Sequence, residues 1–478
     1  MEKNTDVKIV DVELYFLPLV MRVPLKFGNE ISTGYDTARV KMTVESADGR
    51  RAEGWGESPL SPAWAWPGTQ PFSERLELMR QFCRKLVGKW KANNCSGHPI
   101  ELGNYFNETQ LDGELPHLAA LTCCAPFDLA LHDAYGNLHG LPVYQTYNAK
   151  FMNRDLSFYF GDEAFKGLYP EDFFVKNVPE QLPVWHLVGG KDVLDTWGMT
   201  GNEPDDGYPV TLIGWIESDG LKCLKIKLTG IDAENDYRRC VEVGRIAIEK
   251  GVPHLSADFN CTVSEPEYVN DILDRLLAHN PEVYNKILYV EQPFPYDLES
   301  NRIDVHSVSA RKPLFMDESA HNWRLVKLGR ELGWTGVALK TCKTQTGALL
   351  SACWAKKNGM TLMVQDLTNP RLAIIPHVLL AAHVGTIMGV ECNACQFYPE
   401  ASKEEAVIHS GLLRLEIRGH TLAIDFNAVS TFFRAMFRRN PLEIRGHTLA
   451  IDFNAVSTFF RAMFISISLR NPGSHSCY

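Results

Sequence analysis

The chain has no run of 18 or more apolar residues, so no segment reads as a membrane-spanning helix. It has no block of lysine and arginine. With a formal net charge of −10, neither nucleic acid nor an anionic membrane is an expected partner. No G-x-G-x-x-G and no P-loop follows a strand-like run, which argues against a nucleotide-binding fold. The N-terminal stretch MEKNTDVKIVDVELYFLPLV carries charges where a signal peptide needs an apolar centre, so the expected location is the cytoplasm. The 12 cysteines are scattered along 478 residues instead of framing a small scaffold, and read as reduced, mostly buried thiols. Cys392 and Cys395 form a lone C-x-x-C with no second pair, which does not make a metal site.

What is present is 45% hydrophobic residues, enough for a large core in two or three domains. Residues 1–145 read as an α+β domain. Strand-like runs lie at 9–20, 38–47 and 51–58, the last two joined at Asp48-Gly49, and helical patterns lie at 72–92 and 118–138. The second helix is apolar over most of its surface and is expected between this domain and the next. Residues 146–222 form a junction. It holds a buried strand at 183–190, a long loop from Lys191 to Gly207 and a short helix, TLIGWIESDG. From 223 to 400 strands and helices alternate, with helical patterns near 233–250, 267–279, 302–310, 323–332, 346–358 and 374–384. Eight strands alternating with helices predict a (β/α)8-type TIM barrel behind an N-terminal α+β capping domain, an α/β protein overall. The C-terminal segment, 401–478, contains LEIRGHTLAIDFNAVSTFFRAMF at 415–437 and again, unchanged, at 442–464. Functional repeats drift and need several copies to stack, so no chemistry is expected there.

The informative feature is the set of polar tips on the barrel runs. CLKIKL, HLSADFN, ILYVEQP, PLFMDES and GVALKTC end in Lys225 and Lys227, Asp258, Glu291, Asp317 and Lys340. Successive steps from Lys227 are 31, 33, 26 and 23 residues, the length of a strand, a helix and two loops. A parallel barrel brings such tips to one mouth. Three carboxylates there suit a hard divalent cation, and lysines on both flanks suit proton transfer. Lys225 and Lys227 are two apart and share a strand face, Lys222 reads as a surface charge, and Glu318 is expected to point away from Asp317. His186 and His254 read as core histidines. The candidate lid loops are 22–36 and 58–70. In the second, Trp64 and Trp66 either close over an apolar group of the substrate or join the two domains.

The ordered set K-I-K, A-D-F-N, Y-V-E-Q-P, M-D-E-S and L-K-T-C-K resembles the enolase superfamily, specifically its muconate-lactonizing-enzyme subgroup. The likeness spans roughly residues 10–400 and includes GWGESPLSP and FDLALHDAYGNLHGLPVY of the capping domain. It implies Mg²⁺, or Mn²⁺, bound by Asp258, Glu291 and Asp317. It implies Lys227 and Lys340 as acid/base catalysts and Lys225 near the substrate carboxylate. TLMVQDLTNP has no histidine, which disfavours the mandelate-racemase branch. Asp366 stands where many relatives have glutamate and is a candidate substrate contact, and TQTG replaces a glycine-rich stretch after the last lysine. The implied reaction is proton abstraction next to a carboxylate. Two lysines suit racemisation or epimerisation of a small carboxylate. β-Elimination, cycloisomerisation and a non-catalytic ligand-binding barrel are the alternatives. A homo-oligomer is expected.

Overall fold

A computed structural model describes residues 3–27, 30–111 and 113–408. The duplicated stretch at 415–437 and 442–464 lies outside the described residues.

The N-terminal domain is built on an antiparallel sheet of β1 (Val7–Phe27), β2 (Glu30–Ser46) and β3 (Arg51–Leu60), in that spatial order. Gly49 takes φ 82° between β2 and β3, which is the conformation the Asp48-Gly49 turn requires. The helix His117–His139 lies on this sheet at backbone distance. A Cβ on Gly54 would fall 2.0 Å from Ala134 N, and one on Gly56 would fall 2.1 Å from Pro126 O. As expected, this helix is buried along nearly all its length. The expectation of a loop at 22–36 is corrected. β1 and β2 continue past a register shift between Val20 and Leu25 and pair again at Leu25↔Ser32, so the segment is a two-stranded ribbon. A third capping helix, Pro99–Thr109, buries Pro99, Leu102, Gly103 and Phe106 along one face. It starts on local chemistry: Pro99 in its first turn and a reciprocal cap between His98 and Glu101.

The second domain is an eight-stranded parallel sheet. Its strands are β4 (Val184–Val188), β5 (Cys223–Lys227), β6 (His254–Asp258), β7 (Ile287–Glu291), β8 (Leu314–Met316), β9 (Gly336–Leu339), β10 (Thr361–Val364) and β11 (Val390–Glu391). Their spatial order is β10-β9-β8-β7-β6-β5-β4-β11, a (β/α)8-type barrel in chain order. Helices follow the strands much as the sequence predicts, except that 302–310 contains only His306–Ser309 and an additional helix covers Pro281–Lys286. The floor of the barrel is a layer of Trp185, Cys223, Tyr289, Phe315 and Met363.

The 191–210 insertion has an order of its own. Asp195 caps a turn at Thr196–Gly198, and Glu203 accepts from Thr200 N and Gly201 N. It also grips the capping ribbon. Arg22 donates to both carboxylate oxygens of Asp206 at 2.7 Å and to the Pro209 carbonyl at 3.2 Å. Further along, Glu405 pairs with Arg39 of β2 at 2.7 Å, so the start of the 401–478 segment docks on the capping sheet. Among the described residues no helix is long and apolar enough to cross a membrane.

Candidate active site

Parallel register sets the site. Lys227 pairs with Asp258, and Asp258 with Glu291, so three polar tips stand level across β5, β6 and β7. Asp317 and Lys340 follow directly on β8 and β9. All six non-glycine residues with positive φ among the described residues lie in loops leaving the C-terminal ends of barrel strands: Asn260, Cys261, Gln292, Thr344, Thr368 and Arg371. Backbone strain of this kind collects at functional sites.

The lysines and carboxylates interlock. Lys225 Nζ lies 2.6 Å from Glu291 Oε1 and 3.1 Å from both Glu391 Oε2 and Asp258 Oδ2. Lys227 donates to Asp258 Oδ2. Lys340 donates to the Asp366 carbonyl at 2.8 Å and lies 3.1 Å from Asp317 Oδ2. A fourth ammonium, Lys343, donates to the Asp317 carbonyl at 2.7 Å. Gln365 donates to Glu291 Oε2, and Gln292 Oε1 accepts from Asp317 N at 2.7 Å.

The charge count is uneven. Asp258, Glu291, Asp317, Glu318, Asp366 and Glu391 are six buried carboxyl groups, against the four buried lysines 225, 227, 340 and 343. Six minus four leaves two negative charges when all are ionised. The groups respond to this. Burial, with Asp258 beside it, pushes the Glu291 carboxyl well above its usual range. Burial and Asp317 push Glu318 to about 7, and burial and Glu391 push Asp366 to about 7. Burial also opposes ionisation of Asp258, but Lys227 and Lys225 outweigh it and hold that carboxyl low. Burial lowers Lys340, but Asp317 and Glu391 outweigh it and raise it.

A dication matches both the missing charge and the donor chemistry, since hard cations take carboxylate oxygens. As the side chains stand, the carboxylates are turned to lysines. Among the described residues no three His, Cys, Asp or Glu side chains are gathered closely enough to hold a metal ion. Asp317 Oδ1, Glu318 Oε2 and Asn260 Nδ2 are buried without a hydrogen-bond partner in this same cluster. The two carboxylate oxygens have coordination capacity to spare, and the amide nitrogen has a donor to spare.

Lys225, Lys227, Asp317, Lys340, Asp366, Glu391 and Asn393 line one cavity of about 50 Å³ at the mouth. The capping domain roofs it with Leu25, Ser32 and Tyr35 from the ribbon, together with Ser61, Ala63 and Trp64. Trp64 donates its indole N–H to Glu318, and its ring lies 5.2 Å from the Lys340 ammonium. Trp66 is not among the lining residues. It is half-buried against the capping core, and its carbonyl accepts from Arg75. Asp366 binds Asn393 through the backbone N–H at 2.9 Å and the side chain at 3.2 Å.

The expectation that Glu318 faces away from Asp317 is corrected. β8 ends at Met316, so strict alternation no longer governs the two residues beyond it. Sequence reading missed Lys343, Glu391, Gln292 and Gln365. Glu391 carried the same signal as the other acids, since it ends an apolar run, and Lys343 lies one tight turn past Lys340. His186 is buried and bonded to Gln396, His254 is half-buried at the start of β6, and Lys222 is exposed. Cys392 and Cys395 are free thiols.

No protein-family profile matches the chain, and no curated protein does. Solved structures do. The dipeptide epimerase from Methylococcus capsulatus, complexed with Mg and the dipeptide L-Arg-D-Lys, is 19% identical; the match covers 88% of this chain and 100% of that one, with a TM-score of 0.58. The L-Ala-D/L-Glu epimerase from Bacillus subtilis is 17% identical over 81% of this chain and 90% of its own, TM-score 0.56. The muconate lactonizing enzyme from Pseudomonas fluorescens, complexed with muconolactone, is 17% identical over 80% and 86%, TM-score 0.54. The chain has the mandelate racemase/muconate lactonizing fold. The resemblance read from the strand tips therefore holds at the level of architecture, with the capping domain and barrel both matched.

Proposed function

We propose that this chain is an enzyme that removes the proton next to a carboxylate on a small substrate and returns it, a racemase or epimerase dependent on Mg²⁺. The observation that carries this reading is the placement of Lys227 and Lys340. They stand on the second and sixth barrel strands and line one cavity together with Asp317.

Asp258, Glu291 and Asp317 would hold the cation, which supplies charge stabilisation to the developing enolate, often the largest catalytic contribution. The chain's own residues do the rest. Lys225, beside Glu291 and Asp258, faces the substrate carboxylate and offsets its charge. Lys227 handles the proton on one face of the reacting carbon and Lys340 on the other. Lys340 is held protonated while Asp317 is its partner, so it starts as an acid on its face and acts as a base once Asp317 is engaged elsewhere. Trp64 and the β1–β2 ribbon keep water out. Asp366, at the edge of the same cavity, is a substrate contact. The epimerases and the muconate lactonizing enzyme on this fold support the reaction class.

The test is proton exchange. A panel of small carboxylates, including amino-acid derivatives and dipeptides, is incubated in D₂O with Mg²⁺ and followed by loss of the α-proton signal. Exchange with appearance of the second enantiomer or epimer is expected. Exchange leading to a dehydrated or cyclised product replaces the racemase reading, and no exchange on any member removes the reading.

A further inference from the structure

The turn that carries Lys340 and Lys343 is tied to the capping domain by a chain of buried hydrogen bonds. The turn covers Thr341–Lys343, and the next helix, Gln345–Lys357, begins at once. Three consecutive residues at that start reach out of the barrel. Thr344 Oγ1 accepts from Asn107 Nδ2 at 3.0 Å. Gln345 Nε2 donates to Tyr147 OH at 2.6 Å. Thr346 donates through its N–H and its hydroxyl to the two oxygens of Asp128, at 2.9 and 2.7 Å.

His132 closes the chain. Its Nδ1 faces Tyr147 OH and its Nε2 faces Thr346 Oγ1, both at 2.9 Å. The Thr346 hydroxyl proton goes to Asp128, so His132 must donate from Nε2 and accept at Nδ1. Every donor then has one direction: Gln345 to Tyr147, Tyr147 to His132, His132 to Thr346, Thr346 to Asp128. Asp128, His132, Tyr147, Thr344, Gln345 and Thr346 are all buried, so water does not substitute for a lost partner.

Two further observations show that the backbone is built around this chain. Thr344 sits at φ 70°, ψ 144°, a conformation that glycine enters far more readily than threonine, and it is held there by Asn107. Gly103 packs against the junction so closely that a Cβ would fall 2.3 Å from both Asp128 Oδ1 and Thr346 Oγ1.

We propose that this chain is the device by which the capping domain positions Lys340 and Lys343, making Thr346, Asp128 and Asn107 positioning residues for proton transfer. The catalytic consequence rests on the function proposed above; the mechanical claim does not. Two residues separate Lys343 from Thr346, and the turn between them is fixed at both ends. Lys343 is held by the carbonyls of Asp317 and Ala338, and Thr346 by Asp128. Loss of the far anchor lets the turn relax towards ordinary backbone geometry and draws both ammonium groups off their carbonyl partners.

The experiment compares Thr346→Val, which keeps the shape and loses the hydroxyl, with Thr346→Ser, which keeps the hydroxyl. Glu108→Ala serves as control, because Glu108 joins the capping domain to Arg324 at the surface, away from the lysines. The readout on the full-length chain is the acetylation rate of each lysine by limiting acetic anhydride, measured by mass spectrometry with Lys225 as internal reference. Thr346→Val should raise the rates at Lys340 and Lys343 about tenfold, the size expected for one buried hydrogen bond lost. Thr346→Ser and Glu108→Ala should leave them at the wild-type value. On a substrate that the wild type exchanges, Thr346→Val should lower kcat about 10- to 100-fold with little change in KM. Unchanged acetylation in Thr346→Val, or an equal change in Glu108→Ala, overturns the proposal. If Thr346→Val does not fold, Asn107→Ala takes its place with the same expectations. A shift in acetylation in a protein that exchanges no carboxylate supports the positioning claim and removes the functional reading alone.

Discussion

Trp64 donates its indole N–H to Glu318 Oε1 across 3.1 Å, which joins the roof of the cavity to the end of the fifth barrel strand. Both residues are buried, and the other oxygen of Glu318 has no hydrogen-bond partner. Trp64→Phe keeps most of the apolar surface and removes the one donor. It should destabilise the chain by about 1–3 kcal/mol, the cost of leaving a buried acceptor unpaired. Urea unfolding monitored by circular dichroism measures this. A variant as stable as wild type would show that Glu318 finds another donor.

Magnesium should stabilise the fold. A ligand that binds only the folded chain adds about 2.7 kcal/mol at a concentration 100 times its dissociation constant. The thermal midpoint should rise with added Mg²⁺ and fall with EDTA. Asp258→Asn and Asp317→Asn should each lose most of the rise. A midpoint indifferent to Mg²⁺ and Mn²⁺ would remove the cation from the site.

Lys227→Ala should abolish α-proton exchange from one enantiomer or epimer, and Lys340→Ala from the other. Each should retain the Mg²⁺-dependent rise in thermal midpoint, because neither lysine is a cation ligand. Full racemisation by Lys340→Ala would rule out a two-base mechanism.

His98 makes stability depend on pH. It is buried and its pKa is driven well below the usual histidine value, first by burial and then by the neighbouring His132. The ring is neutral when folded and takes a proton when unfolded below about pH 6.5. The unfolded state therefore binds more protons in that range. The stabilisation is complete above pH 6.5 and is lost as pH falls. His98→Asn preserves the helix cap, since asparagine also accepts from the second backbone N–H. The variant's stability should fall less than that of wild type between pH 7 and pH 5. Parallel curves for the two proteins would contradict the assignment.

Much of the site was legible because one pattern, an apolar run ended by a charged residue, marks a strand that enters a barrel core and emerges at its mouth. Lys227, Asp258, Glu291 and Lys340 all carry it and all line or border the site. Glu318 was misread because the rule of alternating faces stops with the strand, at Met316. Lys343 was missed because a short turn, not a strand, brings it back towards Asp317. The ribbon at 22–36 was read as a loop because its pairing is made by backbone groups across a register shift, which side-chain patterns do not record. The Asp128–Thr346 junction depends on residues 218 apart in the chain, and no local pattern announces it.

The barrel wall is not equally laddered around its circumference. β5, β6 and β7 are paired along nearly their full lengths, whereas β11 joins β4 through Val390↔Val184 and Glu391↔Trp185 alone. Between β10 and β11 the wall is bridged by the bond from Ile387 N to Leu362 O at 2.8 Å. Lys225, Lys227, Asp258 and Glu291 therefore stand on the fully laddered arc. Glu391 stands at the seam, where a substitution disturbs only two residue pairs of the ladder. The barrel can thus be altered at the seam while the arc that carries Lys227 and Asp258 keeps its backbone.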